Sequence, residues 1–148
     1  MNFDFGPIVQ SMIPLLIAFA LAVPLGWERG ARRASVGFRT LPVVCIVSCG
    51  FALLARGVEG ADADSLTRPL QGLMGGIGFI GGGAIPKDKG DVTGLVTAAD
   101  VWNVGAIGVA VGYGRLEVAV TLSALNLAGL LLLTPIAKVV KREDAKDG

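Results

Sequence analysis

GLMGGIGFIGGGAI, residues Gly72 to Ile85, decides how the rest of the chain is read. Seven of its fourteen residues are glycine and none is charged. The uncharged run extends from Pro69 to Pro86, eighteen residues between Arg68 and Lys87. In water each interior glycine costs a helix about 0.8–1 kcal/mol relative to alanine, so this segment is not expected to be helical on its own. In a bilayer the backbone has no water to bond to, which forces a helix despite the glycines. Gly72 and Gly76 are four residues apart, as are Gly78 and Gly82. That spacing of small residues lets neighbouring helices approach backbone to backbone. The stretch predicts a membrane helix whose partners touch its main chain.

The totals agree. Of 148 residues, 53% are hydrophobic and 17% charged, with mean hydropathy +0.67. That is too apolar and too poor in charge for an ordinary soluble domain. The absence of histidine excludes His-based triads, His metal sites and His pH sensing. Cys45 and Cys49 lie one helical turn apart in an apolar run and read as small packing residues rather than a disulfide. No nucleophile–base pair is visible, so no catalytic residue, enzyme activity or cofactor is expected. The net charge of +1 gives no sign of a nucleic-acid partner.

Working outward, four more apolar runs appear. Phe5 to Trp27 is uncharged over twenty-three residues, enough to span a bilayer, and holds Pro14, where a kink is expected. Thr40 to Ala55 is a second, shorter run with Pro42 in its first turn, where proline is tolerated. Thr67 is a candidate cap for the glycine-rich helix, with Pro69 in its first turn and Pro86 at its end. Lys87 to Asp91 reads as a tight charged turn. Val92 to Gly114 and Val118 to Ala137 are the fourth and fifth spans. The fold class expected is an all-α, five-helix transmembrane bundle: a membrane domain over residues 1–137 and a charged cytoplasmic tail over 138–148.

Charge sets the orientation. Ten of the thirteen basic residues fall on one side: Arg29, Arg32, Arg33 and Arg39, then Lys87 and Lys89, then Lys138, Lys141, Arg142 and Lys146. Only Arg56, Arg68 and Arg115 fall on the other. By the positive-inside rule the first loop and the C-terminus are cytoplasmic and the N-terminus is outside.

Polar residues within the spans need separate reasons. A central intramembrane acid costs about 2.5–3.5 kcal/mol on insertion scales, and Asp100 lies about two turns into the fourth span. It is either an ion or proton ligand, an ion-pair partner for a basic loop residue, or an acid near the interface held by Thr97. Asn103 and Asn126 sit at mid-depth on antiparallel neighbours and are expected to meet, first as structural glue. Asp100, Asn103 and Asn126 together also offer oxygen ligands suited to a hard cation such as magnesium. The arginines after the first span read as snorkelling, positive-inside residues. Glu28 is not explained that way; a pair with Arg32, four residues on, is one reading. Gly76, Gly78 and Gly81 match GxGxxG, but a single membrane span holds the whole motif, without the strand and helix of a dinucleotide site.

Three blocks in register resemble the MgtC/SapB family of bacterial inner-membrane proteins. The first is Gly26-Trp27-Glu28-Arg29 followed by Gly37-Phe38-Arg39-Thr40. The second is Arg68, then Gly76-Ile77-Gly78-Phe79-Ile80-Gly81-Gly82-Gly83. The third is Leu95-Val96-Thr97-Ala98-Ala99-Asp100-Val101-Trp102. By the resemblance, Glu28, Arg29, Arg39, Thr40, Arg68, Gly76, Gly78, Gly81, Gly83, Thr97 and Trp102 are the matching positions. Phe38 and Ile80 replace leucines and Gly82 an alanine; Ser65 stands where the family usually has an acid. Asp100 stands where the family generally has a small or hydroxyl residue, so its candidacy rests on depth alone. The resemblance implies a multi-pass plasma-membrane protein acting in growth under low magnesium, as a regulator of another membrane complex. A small cation transporter using Asp100, Asn103 and Asn126 is the alternative. Expected partners are the lipid bilayer, another membrane complex and a second copy docked through the glycine-rich helix.

Overall fold

The computed structural model describes residues 5–31, 37–57, 63–85, 87–88, 91–92 and 94–144. Arg32, Arg33, Glu59, Asp62, Pro86, Lys89 and Lys146 lie outside the described residues, and with them the pairing read for Glu28 and Arg32 and the helix end read at Pro86. Five helices form: α1 (Phe5–Ala31), α2 (Thr40–Arg56), α3 (Ala63–Gly83), α4 (Leu95–Gly112) and α5 (Leu116–Asp144). Between α3 and α4, β1 (Lys87–Asp88) pairs antiparallel with β2 (Asp91–Val92), across the turn expected there.

Three helices, α1, α4 and α5, are long and apolar enough to cross a membrane. α2 is apolar but only 17 residues long. Its bounds match the expected run within a residue. α3 begins at Ala63, so Thr67 is not its cap, and Pro69 lies inside the helix rather than in its first turn. At the other end of the chain, α5 runs on through Lys138 as far as Asp144.

α4 is the centre of the bundle. Its apolar window is 56% buried, against 17% for α1 and for α5, and it packs on every other helix. Glycine makes this possible. A β-carbon on Gly108 would lie 2.1 Å from the Cys45 carbonyl oxygen, and one on Gly112 would lie 2.5 Å from Ala52 Cβ. One on Gly105 would meet Ile77 Cδ1 of α3 at 2.4 Å. The backbone-to-backbone contact expected of α3 is therefore made by α4 against α2. Cys45 and Cys49 are free thiols buried in that contact, as packing residues.

α4 turns into α5 through Gly114, at φ +75°, where the Arg115 N–H bonds the Ala110 carbonyl at 2.8 Å and the Gly114 N–H bonds Val111 at 2.9 Å. This paired termination requires the left-handed conformation that glycine adopts without strain. Arg56 Nη1 donates to the Gly112 carbonyl at 3.0 Å and fastens the end of α2 to α4. Ser123 Oγ donates to the Leu21 carbonyl at 2.8 Å and ties α5 to α1.

Candidate functional site

A polar cluster forms where α1 ends and α4 begins. Arg29, two residues before the end of α1, does not snorkel outward. It folds into the bundle, where Nε pairs with Asp100 Oδ2, and the two side chains are only 11% and 3% exposed. A charge taken out of water must be matched, or one partner is left buried and uncompensated. Asp100 thus has a counter-ion, and the interfacial reading with Thr97 as its support is corrected. Thr97 is buried a turn away. Glu28 is also buried, at 9% exposure, and lies close enough to the Asp100 carboxyl to act on it electrostatically. That inward setting accounts for an acid that loop position alone did not.

Asn103 and Asn126 join this pair. Both line a groove of about 620 Å³ between α4 and α5 together with Arg29 and Asp100. Asn126 stands beside the Asp100 carboxyl. The Nδ2 atoms of Asn103 and Asn126 make no hydrogen bond of good geometry among the described residues. The two amides expected to meet thus border one groove, with no direct amide-to-amide tie through these atoms. Leu122, Leu125, Leu130 and Leu133 form the apolar remainder of the wall. Thr134, also on the wall, spends its hydroxyl on the Leu130 carbonyl.

Chemically the cluster is the Arg29–Asp100 ion pair with a second carboxyl, Glu28, and two amides beside it, and among the described residues no three Cys, Asp or Glu side chains are grouped to hold a metal ion. Arg29 is the site residue whose inward role the sequence reading missed. A basic residue at a helix end looks the same whether it snorkels or folds back. The available signal was that Asp100 needs a partner at the same end of the bundle.

The other motif positions serve packing or remain open. Gly26 and Gly37 let Gly37-Phe38 pack closely on the end of α1: β-carbons there would lie 3.2 Å from the Phe38 carbonyl oxygen and 3.1 Å from Gly30 N. Trp27 meets Phe38 edge to face at 5.6 Å. Arg39 and Arg68 are exposed and Thr40 half-buried. Gly81 packs on the Ala98 carbonyl, 3.4 Å from a built β-carbon, and Gly78 faces Trp102. The rest of α3 is different. Around Gly72, Gly75, Gly76, Gly82 and Gly83 a β-carbon would meet nothing within 4 Å. At 3.6 residues per turn, these five and Phe79 fall within about 120° of helical rotation, one outward face. Phe79 projects from its middle, 85% exposed.

An all-helical bundle with long apolar helices, a buried ion pair and a bare glycine face defines a helical membrane protein. The chain belongs to the MgtC family, whose profile it matches over residues 15–139. It is 32% identical to protein MgtC of Brucella abortus over 142 residues, 96% of this chain and 59% of the relative. It is 32% identical over 138 residues to protein SrpB of Synechococcus elongatus, 83% of this chain and 76% of the relative. Against protein MgtC of Salmonella typhimurium it is 31% identical over 131 residues, 88% of this chain and 55% of the relative. The chain spans a little under three fifths of the MgtC relatives it matches. No solved structure matches it.

Proposed function

We propose that this chain is a non-enzymatic, multi-pass protein of the bacterial inner membrane that serves magnesium homeostasis, or adaptation to low magnesium, by regulating another membrane complex. All five helices span in this reading, with the N-terminus outside, supported by the ten-to-three division of basic residues. The observation that carries it is the outer face of α3. Five glycines on one side of a helix, where a β-carbon would meet nothing within 4 Å, leave its backbone open to a neighbour. Within a bilayer, helix association relies on van der Waals packing, and small residues allow the closest approach. Phe79 supplies a knob in the middle of that face. The partner is another membrane protein's helix; a second copy of this chain is the competing occupant.

A small cation transporter is the second reading, because Asp100, Asn103 and Asn126 share a groove. The pairing of Asp100 with Arg29 weighs against it, since a compensated carboxylate attracts a divalent cation poorly. Magnesium and proton flux in proteoliposomes holding only this protein separates the two. The regulator predicts no flux for folded, correctly oriented protein. Flux that Asp100→Asn abolishes would instead make the groove an ion path.

A further inference from the structure

The two members of the Arg29–Asp100 pair are not equally bound to their place. Asp100 lies five residues into α4, about 7.5 Å from its start, and a short side chain at that depth has no route outward. Arg29 is two residues from the end of α1 and keeps some exposure. Gly30 and Ala31 just beyond it are exposed. A long stem at a helix end reaches outward as readily as inward, which is how arginine ordinarily sits at a membrane boundary.

The inward position is also incompletely satisfied. The guanidinium meets Asp100 through Nε, while Nη2 is buried and makes no hydrogen bond among the described residues. A buried donor without an acceptor is a standing cost that water would remove. Without the guanidinium, the Asp100 carboxylate and the amides of Asn103 and Asn126 would still border a groove of about 620 Å³. Half a turn of an amide exchanges its nitrogen for its oxygen. A carboxylate and neutral carbonyl oxygens are the groups that replace the hydration shell of a hard cation. Arg29 thus fills with its own positive charge a place that suits one.

The charge of the competing ion follows. A buried carboxylate stripped of its counter-ion is strongly disfavoured, so Arg29 leaves only as another cation arrives. A monovalent ion keeps the total charge of the cluster as it was, whatever balances Glu28. A divalent ion would add a buried charge, and magnesium gives up its water reluctantly. We infer that Asp100, Asn103 and Asn126 form an alkali-cation site that Arg29 plugs: the guanidinium is a tethered competitor, displaced toward water when sodium or potassium binds. This rests on the cation reading of the groove and not on the α3 face. It is tested by binding rather than flux, so a site that binds without conducting is told apart from no site.

Phenylglyoxal modification of the purified full chain in detergent, mapped by mass spectrometry, follows the plug directly. Choline chloride is replaced at constant ionic strength by sodium, potassium or magnesium chloride. In choline, Arg29 should react at least about tenfold more slowly than the exposed Arg39, because the open form is a minor state of at most about 10%. Sodium or potassium should close most of that gap and leave Arg39 unchanged. An Arg29 rate that neither alkali cation alters, or that magnesium raises as far, overturns the inference. So does an equal rise at Arg39, which reports a loosening of the whole bundle. Binding of radioactive sodium, read by scintillation proximity, gives the second measurement. Arg29→Met should bind sodium at least about tenfold more tightly than wild type, since the internal competitor is gone. Arg29→Met with Asp100→Asn should lose that binding. Equal binding by the single and the double variant overturns the inference, and where Arg29→Met does not fold, the modification of wild type decides alone.

Discussion

Gly108→Ala should loosen the bundle at its tightest point. The new β-carbon would lie 2.1 Å from the Cys45 carbonyl oxygen and 2.9 Å from Ser48 Cβ, where ordinary contact begins at 3.4 Å. Neither obstacle is the flexible end of a side chain: one is backbone, the other the root of a side chain on α2. α2 and α4 must therefore part by roughly 1 Å in an interior that has little slack. Overpacking of this kind costs about 1–3 kcal/mol. Alanine's better helix propensity returns about 1 kcal/mol, and because the overlap falls on backbone the cost lies at the upper end of that range, for a net loss of about 2 kcal/mol. Gly76→Ala carries the same chemical change with nothing within 4 Å. It is expected to be neutral, or stabilising by up to about 1 kcal/mol. Reversible unfolding in mixed micelles, followed by tryptophan fluorescence and far-UV circular dichroism, measures both. Equal stability of Gly108→Ala and wild type, or an equal loss in the two variants, would refute the assignment of α4 as the close-packed helix.

Arg29→Met alone leaves Asp100 buried and unpaired and is expected to cost about 3–5 kcal/mol, whereas Arg29→Met with Asp100→Leu recovers most of it; the same unfolding experiment reads this as a double-mutant cycle. Gly114→Ala forces a β-carbon into the left-handed region at φ +75° and should cost about 1–2 kcal/mol, seen as a lower midpoint with the fold retained. Arg56→Met removes the bond to the Gly112 carbonyl and should increase hydrogen exchange at the α4–α5 turn while leaving the Arg29–Asp100 end protected.

The helices were legible because charge-free runs are long-range signals that need no tertiary knowledge. α2 was placed within a residue for that reason. The start of α3 was misplaced because Thr67-Arg68-Pro69 looks like a cap and first turn, and nothing local shows the helix beginning at Ala63. Which glycines do the packing was not legible either. Gly105, Gly108 and Gly112 recur at helical spacing, but α3 is so much richer in glycine that density stood in for contact. Glycine permits a close approach without saying whether a neighbour of the same chain makes it. The polar site was half legible. Asp100, Asn103 and Asn126 stood out by their depth in apolar runs. Arg29 did not, because its partner is 71 positions away and only the assembled bundle brings them together.

The central claim, that the outer face of α3 docks a partner helix, is tested most directly by growth of the native host at limiting magnesium with its own copy carrying Gly76→Leu and Gly82→Leu. A β-carbon at either position would meet nothing within 4 Å, and protein abundance is measured beside growth so that a folding defect is told apart from a docking defect. The docking reading predicts that growth at low magnesium is lost at wild-type protein abundance, and that Asp100→Asn, where it accumulates, does not reproduce that loss. Wild-type growth with both leucines in place would contradict it.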